Sequence, residues 1–359
     1  MQKHAKLSAS GSHRWILCPG SVKAEEAFPE VKNKYADEGI LAHEIAAAIL
    51  NKEDISGYDI SVEMDENIQL YVDYIKEISP EHIWYPEIHI EKRVDFSHIV
   101  PGGFGTADAV IVANNTLHIV DLKYGMNNVT AYENTQLLLY AIGMYRELEN
   151  KDNINTISVH IVQPRTNNFD KWTLSIKEMS FFEGYFKAKA EEALRNDAPR
   201  IPSEDACKWC RANSTCPALY KFAAEVMDIK NNHIDDEQTK YVLDNSNVIS
   251  NFINSVKGRV YDKLSMGLPF PGYKLVAGRN IRKIRDNIDN KLFELLGEKA
   301  YIKSLIGVTA LEKLVDKETL ESLVYVSNCK PVLVLGNDKR KALEFTELEF
   351  DAVEDDLLS

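Results

Sequence analysis

Two β-branched runs joined by a pair of asparagines constrain this chain more than any other feature. Gly105-Thr106-Ala107-Asp108-Ala109-Val110-Ile111-Val112 leads into Asn114-Asn115, and Thr116-Leu117-His118-Ile119-Val120-Asp121-Leu122-Lys123 follows. Such runs around an asparagine turn signal predict a β-hairpin. Side chains alternate along a strand, so Asp121 and Lys123 share one face of the second arm. An acid and an amine therefore point together, and a second acid, Asp108, lies on the neighbouring arm.

Two carboxylates on adjacent strands can hold a divalent cation through oxygen ligands and leave positions for water and phosphate, which suits phosphodiester hydrolysis. Lys123 would orient that water or help deprotonate it. Isolated Asp-x-Lys tripeptides are common on solvated strand ends, so the neighbours decide. Upstream, residues 38–50 have helical composition, with Ile40, Leu41, Ile45, Ile49 and Leu50 available for a buried face. This segment carries His43 and Glu44. A lone helical His is more often structural, but an imidazole near two carboxylates would complete a metal site. Downstream, residues 131–148 read as a helix with Gln136 and Tyr140 four apart on one face, placed to hydrogen-bond a phosphate or base, or else plain helix surface.

In combination, the residues from His43 to Tyr140 resemble the RecB-like branch of the PD-(D/E)XK nucleases. The resemblance implies that His43, Asp108 and Asp121 are ligands for Mg2+ or Mn2+, that Asp108, Asp121 and Lys123 are catalytic, and that Gln136 and Tyr140 contact substrate. A further carboxylate is usual in that family, and Glu44 or Glu87 would fill the place.

The cysteines are independent of that pattern. Cys207-Lys208-Trp209-Cys210 and Cys216 form C-x2-C-x5-C, followed by Pro217, while Cys18 lies far upstream. Four thiolates meet the requirement of an iron–sulfur cluster or a structural zinc, and His13 is near enough to Cys18 to be considered for zinc. Disulfides do not suit a chain expected to stay in reducing cytosol. Resemblance to the iron–sulfur members of the same family, the AddB-type and CRISPR-associated exonucleases, implies a 4Fe-4S cluster on Cys18, Cys207, Cys210 and Cys216, with zinc as the alternative. Cys329 has no evident partner.

With 359 residues, 45% of them hydrophobic, the chain can bury one large core or two smaller ones. No run approaches the roughly 18 apolar residues of a membrane span, and the start is polar, so the expectation is a cytoplasmic protein without membrane contact. A formal charge of −13 is awkward for a protein that binds DNA. Distribution matters more than the total: much of the acidity lies in residues 344–356, whereas Arg279, Arg282, Lys283 and Arg285 form a basic strip that would contact phosphates. The tail is a solvated end, a partner peptide or an internal mimic of DNA.

The remaining pattern predicts helices over 62–78, 177–195, 218–227 and 237–266, strands over 83–94, 154–162 and 172–176, and a breaker at 267–272. The expected fold is α/β: a PD-(D/E)XK restriction-endonuclease-like core, with a mixed central sheet flanked by helices, over residues 1–220, and a mainly helical C-terminal region over 221–359. Segments 274–279, 331–334 and 338–340 resemble a phage-associated RecB-like group. The expected function is a metal-dependent DNA exonuclease, with phage recombination or replication proteins as partners. The rivals are an inactive cluster-bearing DNA-binding or recombination-assembly module and a zinc-binding interaction protein.

Overall fold

The computed structural model describes residues 5–29, 34–79, 87–228 and 235–276, together with 316–318 and 320. It divides into two compact units, Met1–Val276 and Ala277–Ser359, so the helices after residue 220 belong to the same unit as the sheet. Arg279, Arg282, Lys283, Arg285, Cys329 and the acidic tail lie outside the described residues. Helices α1 (Ser12–Leu17), α2 (Ser21–Glu25), α3 (Lys34–Leu50) and α4 (Val62–Ile78) precede strands β1 (Glu87–Asp95), β2 (Phe104–Ala113) and β3 (Thr116–Leu122). Then come α5 (Thr135–Glu147), β4 (Thr156–Gln163), β5 (Asn168–Ser175), α6 (Ile176–Ala193), α7 (Glu204–Lys208), α8 (Pro217–Val226), α9 (Asp236–Asp244) and α10 (Ser246–Ser265).

The five strands form one sheet in the order β1-β2-β3-β4-β5. The hairpin forms as the asparagines predict: Asn114 and Asn115 take φ of 50° and 60°, the left-handed values that a tight two-residue turn needs, and Ala113 faces Thr116. β4 runs parallel to β3, and a parallel neighbour is not reached by a tight turn, so α5 makes the crossover. The other pairings are antiparallel.

Both sheet faces are covered, which is why the strands read as nearly continuous apolar runs. Ala42, Ile45, Ile68, Tyr71 and Ile75 of α3 and α4 pack on Ala109, Ile111, Val120 and Leu122. On the opposite face, α1, α5 and α6 pack on Val110, Leu117, Ile119, Val159 and Ile161. A polar bridge ties α4 to the sheet: Tyr74 Oη lies 2.8 Å from His160 Nδ1, and His160 Nε2 lies 3.1 Å from His118 Nδ1. Burial depresses both imidazoles, to about 3 at His160 and about 4 at His118, so the bridge is uncharged at neutral pH.

Helix ends follow their caps. The Ser61 hydroxyl accepts the Met64 N–H at 3.2 Å, and Ser175 and Glu178 form a reciprocal capping box. Two boundaries differ from the sequence pattern. α5 begins at Thr135 rather than 131, because Asn134 accepts the Leu137 N–H and the Asp170 carboxylate takes the Ala131 N–H at 2.7 Å. The segment 237–266 is two helices, broken at Asn245, whose side chain donates to the Tyr241 carbonyl.

α5 approaches the end of β1 so closely that a Cβ on Gly143 would sit 2.5 Å from Val94 Cγ1 and 2.8 Å from the Asp95 carbonyl oxygen. Gly143→Ala should therefore destabilise by about 1–3 kcal/mol, since a backbone oxygen cannot rotate away and overpacking outweighs the gain in helix propensity. Gly184 in α6 faces open space, so Gly184→Ala should instead stabilise by up to about 1 kcal/mol. Denaturant unfolding of the two variants checks the opposite signs.

Candidate functional site

Asp121 ends β3 with only 3% of its surface exposed. Gln136, in the first turn of α5, donates to Asp121 Oδ1 at 2.9 Å and accepts from Lys123 Nζ at 3.3 Å. Lys123 Nζ also lies 2.7 Å from Asp121 Oδ2, close enough for an ion pair but not aligned as a hydrogen bond. That buried oxygen has no partner besides the Lys123 ammonium. Burial raises the Asp121 pKa against the pull of Lys123. Burial also opposes the Lys123 cation, but the Asp121 and Asp108 carboxylates prevail and hold its pKa above the usual lysine range.

Asp108 drops out of the sheet on both sides. The β2–β3 ladder ends at Ala109↔Val120, and the β1–β2 ladder skips from Ile90↔Ala109 to Lys92↔Ala107. Continuing those registers would set Glu91 opposite Asp108 and Asp108 opposite Asp121. Freed from backbone pairing, Asp108 accepts the Leu122 N–H at 2.7 Å through Oδ2 and meets His43 Nδ1 at 3.3 Å through Oδ1. Glu91 takes φ of 48°, unusual in a strand, and turns its carboxylate to the same place. Ligand atoms of His43, Glu91 and Asp108 lie within 4.8 Å of one another, the one such group of three among the described residues. An octahedral ion with ligands near 2.1 Å sets its ligand atoms about 3 to 4.2 Å apart; the 3.3 Å between His43 Nδ1 and Asp108 Oδ1 falls in that range.

The surroundings favour the protonated forms of His43 and Glu91. Burial disfavours the His43 imidazolium, but Asp108 beside it outweighs burial and raises its pKa to about 9. Burial, and after it the Asp108 charge, pushes Glu91 up to about 7. Tyr140 is buried against Gly105, where a Cβ would come within 2.7 Å of its ring, and its centroid is 6.4 Å from that of Phe96. Burial raises its phenol further above the usual range.

The four cysteines line one cavity with Ser21, Arg200 and Asn213, with a volume of about 20 Å³. His13 is not among its walls. Cys18 Sγ accepts the Ile201 N–H at 3.2 Å. Burial raises the thiols of Cys18 and Cys207, and that of Cys210 to about 11. No three of the sulfurs come within 4.8 Å of one another. A single tetrahedral zinc with 2.3 Å bonds would draw them to about 3.8 Å. Beside the cavity, the buried Glu25 of α2 binds the Arg14 side chain at 3.1 Å and the Arg211 N–H at 2.9 Å, while Arg14 donates to the Trp209 carbonyl. The N-terminal helices are thus clamped to the cysteine loop without a metal.

Residues 4–341 match a family model described as "Protein of unknown function (DUF2800)". The chain belongs to DUF2800. This DUF2800 chain is also similar to the solved structure titled "Crystal structure of SSO0001", at 16% identity over 59% of this chain and 85% of that one, with a TM-score of 0.30. A likeness that distant carries no argument about the site.

In this DUF2800 chain the structure gathers His43, Asp108, Asp121, Lys123 and Gln136 at one place, and Tyr140 stands behind them in the core. Glu44 is exposed and Glu87 pairs with His89 at 2.7 Å; the carboxylate that joins His43 and Asp108 is instead that of Glu91. Its signal in the sequence, an acid in mid-strand before Lys92 and Arg93, is indistinguishable from a solvated strand position; only the broken ladder singles it out.

Both upward shifts mean that the folded, metal-free protein holds protons the unfolded chain would release. These two groups therefore contribute stability that is lost as pH rises through about 7 at Glu91 and about 9 at His43. A cation at this trio must displace those protons. Mn2+ affinity should rise roughly tenfold per pH unit for each proton displaced, steeply below pH 7, less so up to about 9, and level off above. Calorimetric titration in buffers of different ionisation enthalpy would read the proton release, and affinity flat from pH 6 to 9 would remove His43 and Glu91 from the ligand set.

Proposed function

We infer that this chain is a divalent-metal-dependent deoxyribonuclease of the RecB-like PD-(D/E)XK type, cutting DNA from ends in the course of phage replication, recombination or end processing. The observation that carries the reading is the buried Asp121–Lys123 ion pair next to the His43–Glu91–Asp108 trio. A mixed sheet between helical layers, with the acids on adjacent strands, is consistent with that fold type.

His43, Glu91, Asp108 and Asp121 would hold Mg2+ or Mn2+, which when bound supplies a Lewis acid that lowers the pKa of water and offsets charge on the phosphate. Asp121 and Asp108 offer the hard oxygen donors such ions prefer. Lys123, held as a cation, suits orienting water and steadying the phosphate oxygens better than taking a proton. Gln136 fixes the separation of Asp121 and Lys123, and Tyr140 backs the acid-bearing strand through Gly105. In the cysteine cavity, Cys18, Cys207, Cys210 and Cys216 would hold a 4Fe-4S cluster.

Incubation with end-labelled single- and double-stranded DNA and Mg2+ or Mn2+ should release short products. Asp121→Ala and Lys123→Ala should each reduce the rate by about a thousandfold with circular dichroism unchanged. Full activity in Asp121→Ala would overturn the assignment. DNA binding without cleavage at any metal concentration would leave an inactive DNA-binding module instead.

Anaerobically purified protein should be brown and contain iron and acid-labile sulfide. Cys18→Ala should lose the colour and lower the melting temperature, whereas His13→Ala should do neither. Stoichiometric zinc without iron would sink the cluster and leave a zinc staple.

A further inference from the structure

The sequence Gln163-Pro164-Arg165 at the end of β4 has no part in the chemistry above, yet Gln163 is a fully buried polar side chain. Its amide donates to the carbonyls of Gly125 at 2.6 Å and Asn127 at 2.9 Å and accepts the Val129 N–H at 3.2 Å. Asn168 adds a bond to the Val129 carbonyl at 2.8 Å, and Asp170 takes the Ala131 N–H. The segment 124–134 has no helix or strand of its own, and its backbone is instead satisfied by side chains of β4 and β5. One end of this loop follows Lys123 and the other leads into Gln136, so it is built as rigidly as the site it joins.

What the loop holds out to solvent is an aromatic ring. Tyr132 is 63% exposed, and its centroid lies 5.2 Å from that of Trp172 on β5. The rings continue through Phe182, 6.0 Å from Trp172, to Phe181, 5.9 Å further and 74% exposed. An exposed tyrosine and phenylalanine at the ends of a packed ring series give a folded chain nothing by themselves.

We propose that Tyr132, Trp172, Phe182 and Phe181 form a stacking track for the bases of single-stranded nucleic acid, leading away from the carboxylate site along β5 and α6. Every base offers a ring face and a duplex hides it, so such a track selects unpaired strands without reading sequence. Continuity decides for a nucleic-acid strand over a protein partner: the loop bearing Tyr132 is the one that spans Lys123 to Gln136. Charge along the track is net acidic: Lys177 stands one turn before Phe181, whereas Glu133 hydrogen-bonds Tyr132, Glu178 forms the Ser175 capping box and Glu183 adjoins Phe182. Stacking rather than phosphate neutralisation therefore holds the strand, and the salt dependence is shallow. This names the substrate form for the nuclease reading and rests on it.

The test is fluorescence anisotropy with the full chain in EDTA, using labelled oligodeoxythymidine of about 16 nucleotides against a duplex of equal length. The single strand should bind more tightly. Tyr132→Ala and Phe181→Ala should each weaken it by about tenfold, Tyr132→Phe should bind as the parent does, and Tyr132→Leu should behave like the alanine variant. Leu keeps the apolar area and loses the ring face, so parental affinity in Tyr132→Leu, or in both alanine variants, overturns the track. A parallel Mg2+ cleavage assay separates the two claims. Cleavage with ring-insensitive binding sinks the track alone, and ring-dependent binding without cleavage sinks the nuclease reading alone. Neither binding nor cleavage sinks both.

Discussion

Asp121 is a carboxylate nearly sealed from water between a sheet and two layers of helices. Removing such a group from solvent costs on the order of several kcal/mol unless neighbours replace the lost interactions. The surrounding structure replaces most of them, with an ammonium from Lys123 and an amide from Gln136. Both helpers depend on the fold: Lys123 on the end of β3, and Gln136 on the Asn134 cap that fixes where α5 begins. The crossover helix that makes a parallel β3–β4 pair possible is thus also what completes the carboxylate's shell.

Asp108, Asp121, Lys123, His43 and Gln136 were legible because each sits where local periodicity is strong, on a hairpin arm or a helix turn. The hairpin could be read from Asn114-Asn115, since few residue pairs accept two positive φ values. Glu91 was not legible, because nothing in an alternating strand announces that one residue will leave the ladder. The start of α5 was missed for a related reason: the side chain that takes the Ala131 N–H is Asp170, 39 residues away. The break at Asn245 shows the same limit in a helical segment, where a single side chain competing for backbone groups outweighed continuous helical composition.

Cys18 and Cys207 are 189 residues apart in sequence, and the bond from the Ile201 N–H to the Cys18 sulfur spans 183. Joining segments so remote carries a loop-closure cost that grows only slowly with length, so a modest number of contacts suffices. Glu25 supplies them with two arginines, placing the cysteine loop before any metal arrives. Burial raises the thiols of Cys18, Cys207 and Cys210, so these three favour their neutral form in the folded protein.

The broken ladder at Asp108 links strain to chemistry. A glutamate at φ 48° within a strand is held there against its own preference, at a cost of about 1–3 kcal/mol for such backbone outliers. Regular pairing of Glu91 with Asp108 would relieve it, but would return the Asp108 backbone to the ladder and remove Glu91 from the reach of His43. Glu91 is exposed at the surface, but partial burial of its carboxylate and the neighbouring Asp108 charge raise its pKa and add repulsion to strain. Neither is offset by the protein's own groups except the single imidazole of His43. Strain and like charge meet at the same residue because the ladder breaks there, and the same break brings the ligand atoms of His43, Glu91 and Asp108 within 4.8 Å of one another.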